Sequence, residues 1–429
     1  MLLAFPVSAD VVGENRRFYV DSGYDVSSRK EIDAVLVKKT DKLYFYADKA
    51  WWDVVLQEGI LAKLDSLGAE FSSHIYPNLV KYYGEEQIPG IDGEAVATVL
   101  IHPMKKNAGG YFRSNDEYSK IFISDSNERE MVYLNSDYLS DELIKSFLAH
   151  EFVHLITFNQ KENKNNISEE IWLNELRAEY APTLLGYDAG AARSNLKNRM
   201  RDFLENPSVS LTDWKGGKSS YGSINLFAQY LADHYGVKIL TDSMQSQFAG
   251  IESLEYALEK NGFTETFSEI FTNWTITVLI NDCGHGAKYC YKNPALKNFR
   301  IIPNINFLPI SGQSALMFSD IISKWAGNWY KVIGGDGDLH LEFSGAVEAG
   351  FKVPYIIEDS SGYKISFLAL DENNTGEMDI LDFRLNANAL YFIPSVQSAT
   401  AEKPFYSFSW TVSSRKIGRA SCRERVYHP

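Results

Sequence analysis

The sequence predicts an α+β fold followed by an all-β region, on three observations. A central stretch carries apolar residues at helical spacing in two stripes, Leu143, Phe147, His150 and His154 in one and Ile144, Leu148, Phe152 and Leu155 in the other, the pattern of a helix buried nearly all round. Ala95–Ile101 and Met131–Leu134 are apolar runs of strand length. From about residue 311, short β-rich runs alternate with Gly, Asp, Asn and Ser turns.

The elements follow in order. Residues 14–48 alternate as strands, with Arg17–Val20 and Leu43–Tyr46 the clearest, and residues 51–85 read as helix. Ser140 is the expected cap of the central helix, with Asp141 and Glu142 at its positive end. The polar run Lys161–Asn166 reads as a surface turn. Ser168 is the expected cap of a second helix, with Glu169 and Glu170 in its first turn. Residues 222–280 are helical, including Ile224–Tyr235 and Ile251–Lys260. Trp329–Ile333, Leu339–Phe343, Tyr355–Ile357, Lys364–Leu368, Leu390–Ile393 and Ser407–Val412 are strands at the spacing of a β-sandwich. A chain of 429 residues accommodates two or three domains, and the expected ones are 14–310 and 311–416.

The chemistry concentrates in His150-Glu151-Phe152-Val153-His154. Histidines at i and i+4 share one helix face, so both imidazoles can bind one tetrahedral Zn²⁺, with Glu151 beside a metal-bound water. A zinc hydrolase needs a third protein ligand and one open position. The histidine-rich extension of the motif requires Gly at 157 and His at 160, where the chain has Thr157 and Gln160, so that subclass is excluded. Trp172-Leu173-Asn174-Glu175-Leu176-Arg177-Ala178-Glu179-Tyr180 offers the alternative. Glu175 lies far enough past His154 for a turn and an antiparallel helix to return to the metal. Glu175 and Glu179 share a face, so one carboxylate can bind zinc while the other accepts the second N–H of a ligand histidine.

H-E-x-x-H followed at this spacing by N-E-x-x-A-E resembles the glutamate-zinc (gluzincin) metallopeptidases, the thermolysin-like clan. Gly110-Tyr111-Phe112, Met131–Leu134 and Tyr221-Gly222 also fit, and within the clan the chain looks most like the secreted bacterial hyicolysin-like group. The resemblance covers roughly residues 90–240. It implies a zincin-type catalytic domain: a small mixed sheet on the zinc helices, an edge strand lining the substrate cleft and a helical lower subdomain. It implies His150, His154 and Glu175 as zinc ligands, Glu151 as general base and Glu179 as the partner of His150. The 311–416 region looks like the β-sandwich domains that follow the catalytic unit in many secreted bacterial peptidases, and a cell-surface or matrix contact is expected through it. Strand addition at the sheet edge would hold a protein or peptide substrate. Gly109-Gly110 either keeps that edge open or forms a turn. Tyr221, at the start of a helix, is the expected oxyanion donor, with His234 second.

Two rival functions are carried. One is a zinc exopeptidase, but the G-x-M-E-N stretch with which the zinc aminopeptidases grip a free amine is missing. The other is a non-catalytic surface-binding protein with a structural zinc, against which the intact Glu151 argues.

Composition narrows the field. A net charge of −14 argues against nucleic acid as partner, and no apolar run reaches the ~18 residues of a membrane span. Val7-Ser8-Ala9 resembles a signal-peptidase site, so residues 1–13 are read as a signal-peptide remnant, in preference to an ordinary N-terminal strand, and the protein as secreted or extracellular. Ile417–Val426 can be written in codons as ATC GGA AGA GCG TCG TGT AGG GAA AGA GTG, a sequencing adapter read as protein, and residues 417–429 are expected to be foreign. Truncation after Lys416 should then leave the melting temperature and activity unchanged; a clear loss of stability in thermal denaturation would reject this. Without Cys422, the pair Cys283 and Cys290 remains, and a disulfide is favoured over a second metal site using His285 or two free thiols. Asp371, Asn373, Thr375, Gly376, Asp379 and Asp382 partly match a calcium loop, but Thr375 and Asp382 depart from it and the flanks are strands, so a polar turn is favoured.

Overall fold

The computed structural model describes residues 10–105, 108–189 and 194–415. Residues 1–9 of the expected signal-peptide remnant 1–13 and the expected foreign segment 417–429, with Cys422, lie outside the described residues. Asp10 is already part of the fold: its carboxylate is buried, pairs with Arg129 at 2.6 Å and accepts from the Tyr46 hydroxyl at 2.8 Å.

The chain divides into two compact units, residues 1–202 with 224–267, and residues 203–223 with 268–429. The first is built on a six-stranded mixed sheet of β1 (Asn15–Tyr19), β2 (Glu31–Lys39), β3 (Leu43–Asp48), β4 (Ala97–His102), β5 (Gly110–Phe112) and β6 (Met131–Asn135), in the order β1-β2-β3-β4-β6-β5. β3, β4 and β6 run parallel; β5 is antiparallel to β6 and forms one edge. One sheet face is covered by an apolar cluster that includes Phe18, Leu36, Tyr46, Leu100, Tyr111 and Tyr133.

The helices of this unit are α1 (Lys49–Trp52), α2 (Gln57–Glu70), α3 (Tyr76–Tyr83), α4 (Ile144–Thr157), α5 (Ile171–Leu184), α6 (Asn195–Glu205, its last residues in the second unit), α7 (Lys218–Tyr235, shared between the units), α8 (Lys238–Met244) and α9 (Gly250–Lys260). α4 packs on β5, β6 and α5. Eleven of its fourteen residues are buried, as the two apolar stripes require, and Phe152 meets Phe71 edge-on at 4.9 Å.

Three local expectations change. The α4 entrance is closed by Asp141, whose carboxylate accepts the Leu143 N–H at 3.0 Å, while Ser140 instead receives the Lys63 ammonium. α5 starts at Ile171, two residues later than a Ser168 cap implies, because Glu169 is drawn inward to Arg177 at 2.7 Å and to the Gly250 N–H at 2.7 Å. Lys161 is not on the surface. The backbone of Phe158–Asn163 continues α4 as a widened helical turn, and the buried Lys161 ammonium donates to Ser243 O at 2.7 Å and to Ser246 and Phe248 carbonyls. The polar run is therefore not a solvated surface turn throughout: its lysine is enclosed, and buried carbonyls satisfy the ammonium that burial removes from water.

The second unit contains α10 (Phe267–Ile280, its first residue in the first unit), α11 (Phe383–Asn386) and strands β7 (Asn304–Leu308), β8 (Ser314–Ile322), β9 (Tyr330–Gly334), β10 (Asp338–Gly345), β11 (Ala349–Lys352), β12 (Pro354–Asp359), β13 (Gly362–Phe367), β14 (Thr375–Ile380), β15 (Ala389–Phe392), β16 (Ser395–Ala399) and β17 (Tyr406–Arg415). They form sheets β14-β10-β17-β8, β13-β12-β15-β9-β7 and β11-β16. The two larger sheets share one core, with Leu341, Phe343, Phe408 and Trp410 from one and Tyr330, Val332, Leu390 and Phe392 from the other. Residues 268–310 group with these strands rather than with the sheet of the first unit. The bonds explain why: Ser268 and Thr272 of α10 meet the Gln397 amide of β16, and the Trp329 indole donates to Thr275 O at 2.9 Å.

Cys283 and Cys290 are joined as a disulfide. Asp371 closes a polar turn, accepting from the Asn373 and Thr375 N–H groups at 2.9 and 2.8 Å, and Asp379 faces His340 across β10 and β14. Among the described residues no helix is long and apolar enough to cross a membrane.

Candidate metal centre

α4 delivers His150, Glu151 and His154 to one place, and their ligand atoms lie within 4.8 Å of one another. α5 returns antiparallel and brings Glu175 to the same point. The His150 Nε2 to His154 Nε2 distance is 3.2 Å, and Glu175 Oε2 is 3.2 and 3.7 Å from those two nitrogens. A tetrahedral zinc with ligands at ~2.0–2.1 Å separates its ligand atoms by roughly 3.3–3.4 Å. The three donors therefore stand at the edge lengths of a vacant-vertex tetrahedron.

Two further observations test the fit. Glu175 Oε2 is buried and has no hydrogen-bond partner of good geometry among the described residues, although it lies so close to His150. A buried carboxylate oxygen left unpaired is costly, and a cation at the centroid of the three atoms removes that cost. The other ring nitrogens are engaged from behind: His154 Nδ1 lies 3.0 Å from Asn174 Oδ1, and His150 Nδ1 lies 3.5 Å from Glu179 Oε1. Each partner is an acceptor, so each Nδ1 carries its hydrogen and each Nε2 faces inward, where loss of any proton on it would free a lone pair for a metal. The residues fit zinc, and the donor set of two imidazoles and a carboxylate is that of a catalytic rather than a structural site.

Electrostatics tie these groups together. Burial pushes Glu151 up to about 8, with His150 opposing and Glu175 and Glu179 adding to the rise. Burial opposes protonation of His150, but Glu175, Glu151 and Glu179 outweigh it and raise the imidazole to about 9. Burial likewise opposes ionisation of Glu179, yet Arg199 holds it below the usual carboxylate range. Metal must displace the His150 proton, so the affinity falls as pH falls.

Glu179 is the most enclosed member, 1% exposed against 13% for His150 and 16% for Glu175. Arg199 of α6 grips it through two bonds of 2.6 and 2.8 Å, Asn195 adds one of 2.8 Å, and Asn225 of α7 donates to its backbone carbonyl at 3.0 Å. Sequence reasoning missed Asn174, Arg199, Asn195 and Asn225. Asn174 was legible beside Glu175; the other three had no local signal.

The edge strand crosses close above this centre. A Cβ on Gly110 would stand 2.6 Å from Tyr133 O and 3.0 Å from Glu151 Cγ, so Gly110 is in the strand and its bare Cα is what lets β5 pass Glu151. The next residue but one, Phe112, lays its ring 6.1 Å from that of His154. Tyr221 lies in the first turn of α7, in the second unit, edge-on to Trp214 at 4.9 Å; His234 lies in its last turn beside Tyr230 at 4.5 Å. A second group, His340 with Glu342 and Glu377, sits on an outward strand face, where both ring nitrogens are taken by Asp379 at 2.8 Å and Glu342 at 3.1 Å.

No family model matches the chain. The neutral metalloprotease ShpI of Staphylococcus hyicus is 25% identical over 240 residues, 50% of this chain and 52% of that protein, so the chain spans about half the length of the curated relative it matches. Among solved structures, the pre-peptidase C-terminal domain of a Bacillus anthracis collagenase aligns at 11% identity, with 26% of this chain and 96% of that one covered and a TM-score of 0.19. The periplasmic lysozyme inhibitor PliG of Salmonella Typhimurium aligns at 15% identity, with 26% and 97% covered and a TM-score of 0.18. Likenesses at those scores carry no argument. The metalloprotease match and the His150-Glu151-His154 cluster together support a place in the gluzincin-type zinc metallopeptidase superfamily.

Proposed function

We propose that this chain is a secreted zinc-dependent endopeptidase, closest to the hyicolysin-like group, with His150, His154 and Glu175 as zinc ligands. The observation that carries the reading is the convergence of three donor atoms at 3.2, 3.2 and 3.7 Å, with Glu151 alongside and not needed as a ligand. Zinc would supply Lewis acidity to water and to the scissile carbonyl. Glu151 takes a proton from the attacking water and passes it to the leaving amine. Glu179 and Asn174 hold the two imidazoles in the ligating tautomer, and Arg199 keeps Glu179 charged. Tyr221 is the proposed donor to the oxyanion. The free edge of β5 offers backbone groups to an extended peptide.

The disulfide supports an oxidising, extracellular location. The shared core of the two larger C-terminal sheets supports a β-sandwich accessory domain, for which a cell-surface or matrix contact is proposed.

Casein cleavage that is abolished by a chelator and restored by zinc is the expected result. Peptides with blocked and free amino termini should be cut alike; a strict need for the free amine would make the protein an exopeptidase. Full zinc occupancy without cleavage of any peptide would leave a structural metal in a binding protein.

A further inference from the structure

One exposed tyrosine, far upstream of the metal motif, stands where a substrate would lie. The rings of Tyr133 on β6 and Tyr111 on β5 are stacked at 4.2 Å and 8°. Tyr24 continues the row, its ring stacked on Tyr111 at 4.6 Å and 16°. These steps are close to the ~4.8 Å spacing of neighbouring strands. The Tyr24 ring thus occupies the position, one strand beyond β5, of a side chain on the next strand of the sheet, while β5 is the edge.

The ring is held there by a turn built for rigidity. The Tyr24 N–H donates to Asp21 O at 3.0 Å and its carbonyl accepts from Lys105 N–H at 2.8 Å. The next residue, Asp25, is fully buried and receives the Ser27 and Arg29 N–H groups and the Arg29 guanidinium. Yet Tyr24 itself is 39% exposed, whereas Tyr111 and Tyr133 are buried. Its hydroxyl makes no hydrogen bond among the described residues. Burial raises its pKa, and the charges of Glu151, Glu175 and Asp21 add to the rise. It stays protonated and is available as a donor.

We propose that Tyr24 is a substrate-positioning residue: its ring floors the bed beside β5, and its hydroxyl donates to the backbone of an extended peptide added along that edge. The inference rests on the peptidase reading and extends it to a residue outside the zinc-motif region. It accounts for an exposed aromatic whose hydroxyl has no partner among the described residues.

The test uses the zinc-loaded full chain and an end-blocked, internally quenched peptide. Tyr24→Phe keeps the ring stack and removes the hydroxyl. It should lower kcat/KM by about 3–10-fold, the worth of one neutral hydrogen bond, mainly through KM. Zinc content and Tm should not change. In a Glu151→Gln background, anisotropy of a fluorescein-labelled casein peptide should show binding weakened by a similar factor. Tyr24→Ala, which also removes the floor, should be worse in both assays. If the parent cleaves and Tyr24→Phe cleaves and binds like it, the inference is wrong while the peptidase reading stands; Tyr24→Ala alone being impaired would reduce the residue to ring packing and overturn it equally. A parent that cleaves nothing overturns the peptidase reading, and this inference falls with it.

Discussion

Glu151→Gln should keep its zinc and its melting temperature and lose peptide hydrolysis by about 10²–10⁴-fold, the usual contribution of a positioned general base. The substitution is close to isosteric, and Glu151 is packed under Gly110 of β5 in a buried position, so shape is retained. The amide cannot accept the proton of the attacking water. The loss should appear in kcat with little change in KM, because the carboxylate acts in the transition state rather than in holding substrate. Metal analysis and steady-state kinetics on the same preparation decide the matter. Loss of zinc would make Glu151 a ligand, and near-normal turnover would remove it from the chemistry.

The second large effect separates Glu175 from Glu179. Glu175→Ala removes one of three donor atoms and should cost zinc affinity more than Glu179→Ala, which should weaken it by about 10–100-fold, the size expected of a group that orients a ligand. The distances set the order: Glu175 Oε2 is 3.2 Å from the His150 ligating nitrogen, while Glu179 Oε1 approaches its opposite nitrogen at 3.5 Å. Glu179→Ala carries a second consequence, since it strips Arg199 of both its bonds to that carboxylate and Asn195 of its acceptor. Thermal stability should therefore fall in Glu179→Ala and much less in Glu179→Gln, which keeps an acceptor. Competitive titration against a chelator measures the affinities. If Glu179→Ala binds zinc like the parent, the Glu179 contact is idle; if it is the worse of the two, ligand and supporter have been exchanged.

The sequence was most legible where chemistry follows the helical period. His150 and His154 needed only i and i+4 on one helix, and Glu175 and Glu179 only the same rule on the next. The β5 and β6 segments and the change to strands near residue 311 were readable from local pattern as well. Helix ends were read less well: Ser140 and Ser168 are good caps by residue type, but Asp141 closes one entrance and Glu169 is pulled inward by Arg177 and Gly250 at the other. Lys161 shows the same limit more sharply. Nothing in a polar run indicates that carbonyls some eighty residues later will close over one of its lysines.

By itself, then, the sequence determined which histidines and glutamates share a helix face, because side-chain spacing on a helix is a local property fixed by 3.6 residues per turn. The clamp of Arg199, Asn195 and Asn225 on Glu179, the need for Gly110 over Glu151 and the place of Tyr24 beyond the sheet edge were decided only by tertiary structure. Each depends on which distant segments pack together, and that is set by burial of the whole core and by the pairing of polar groups enclosed within it, not by the residues on either side.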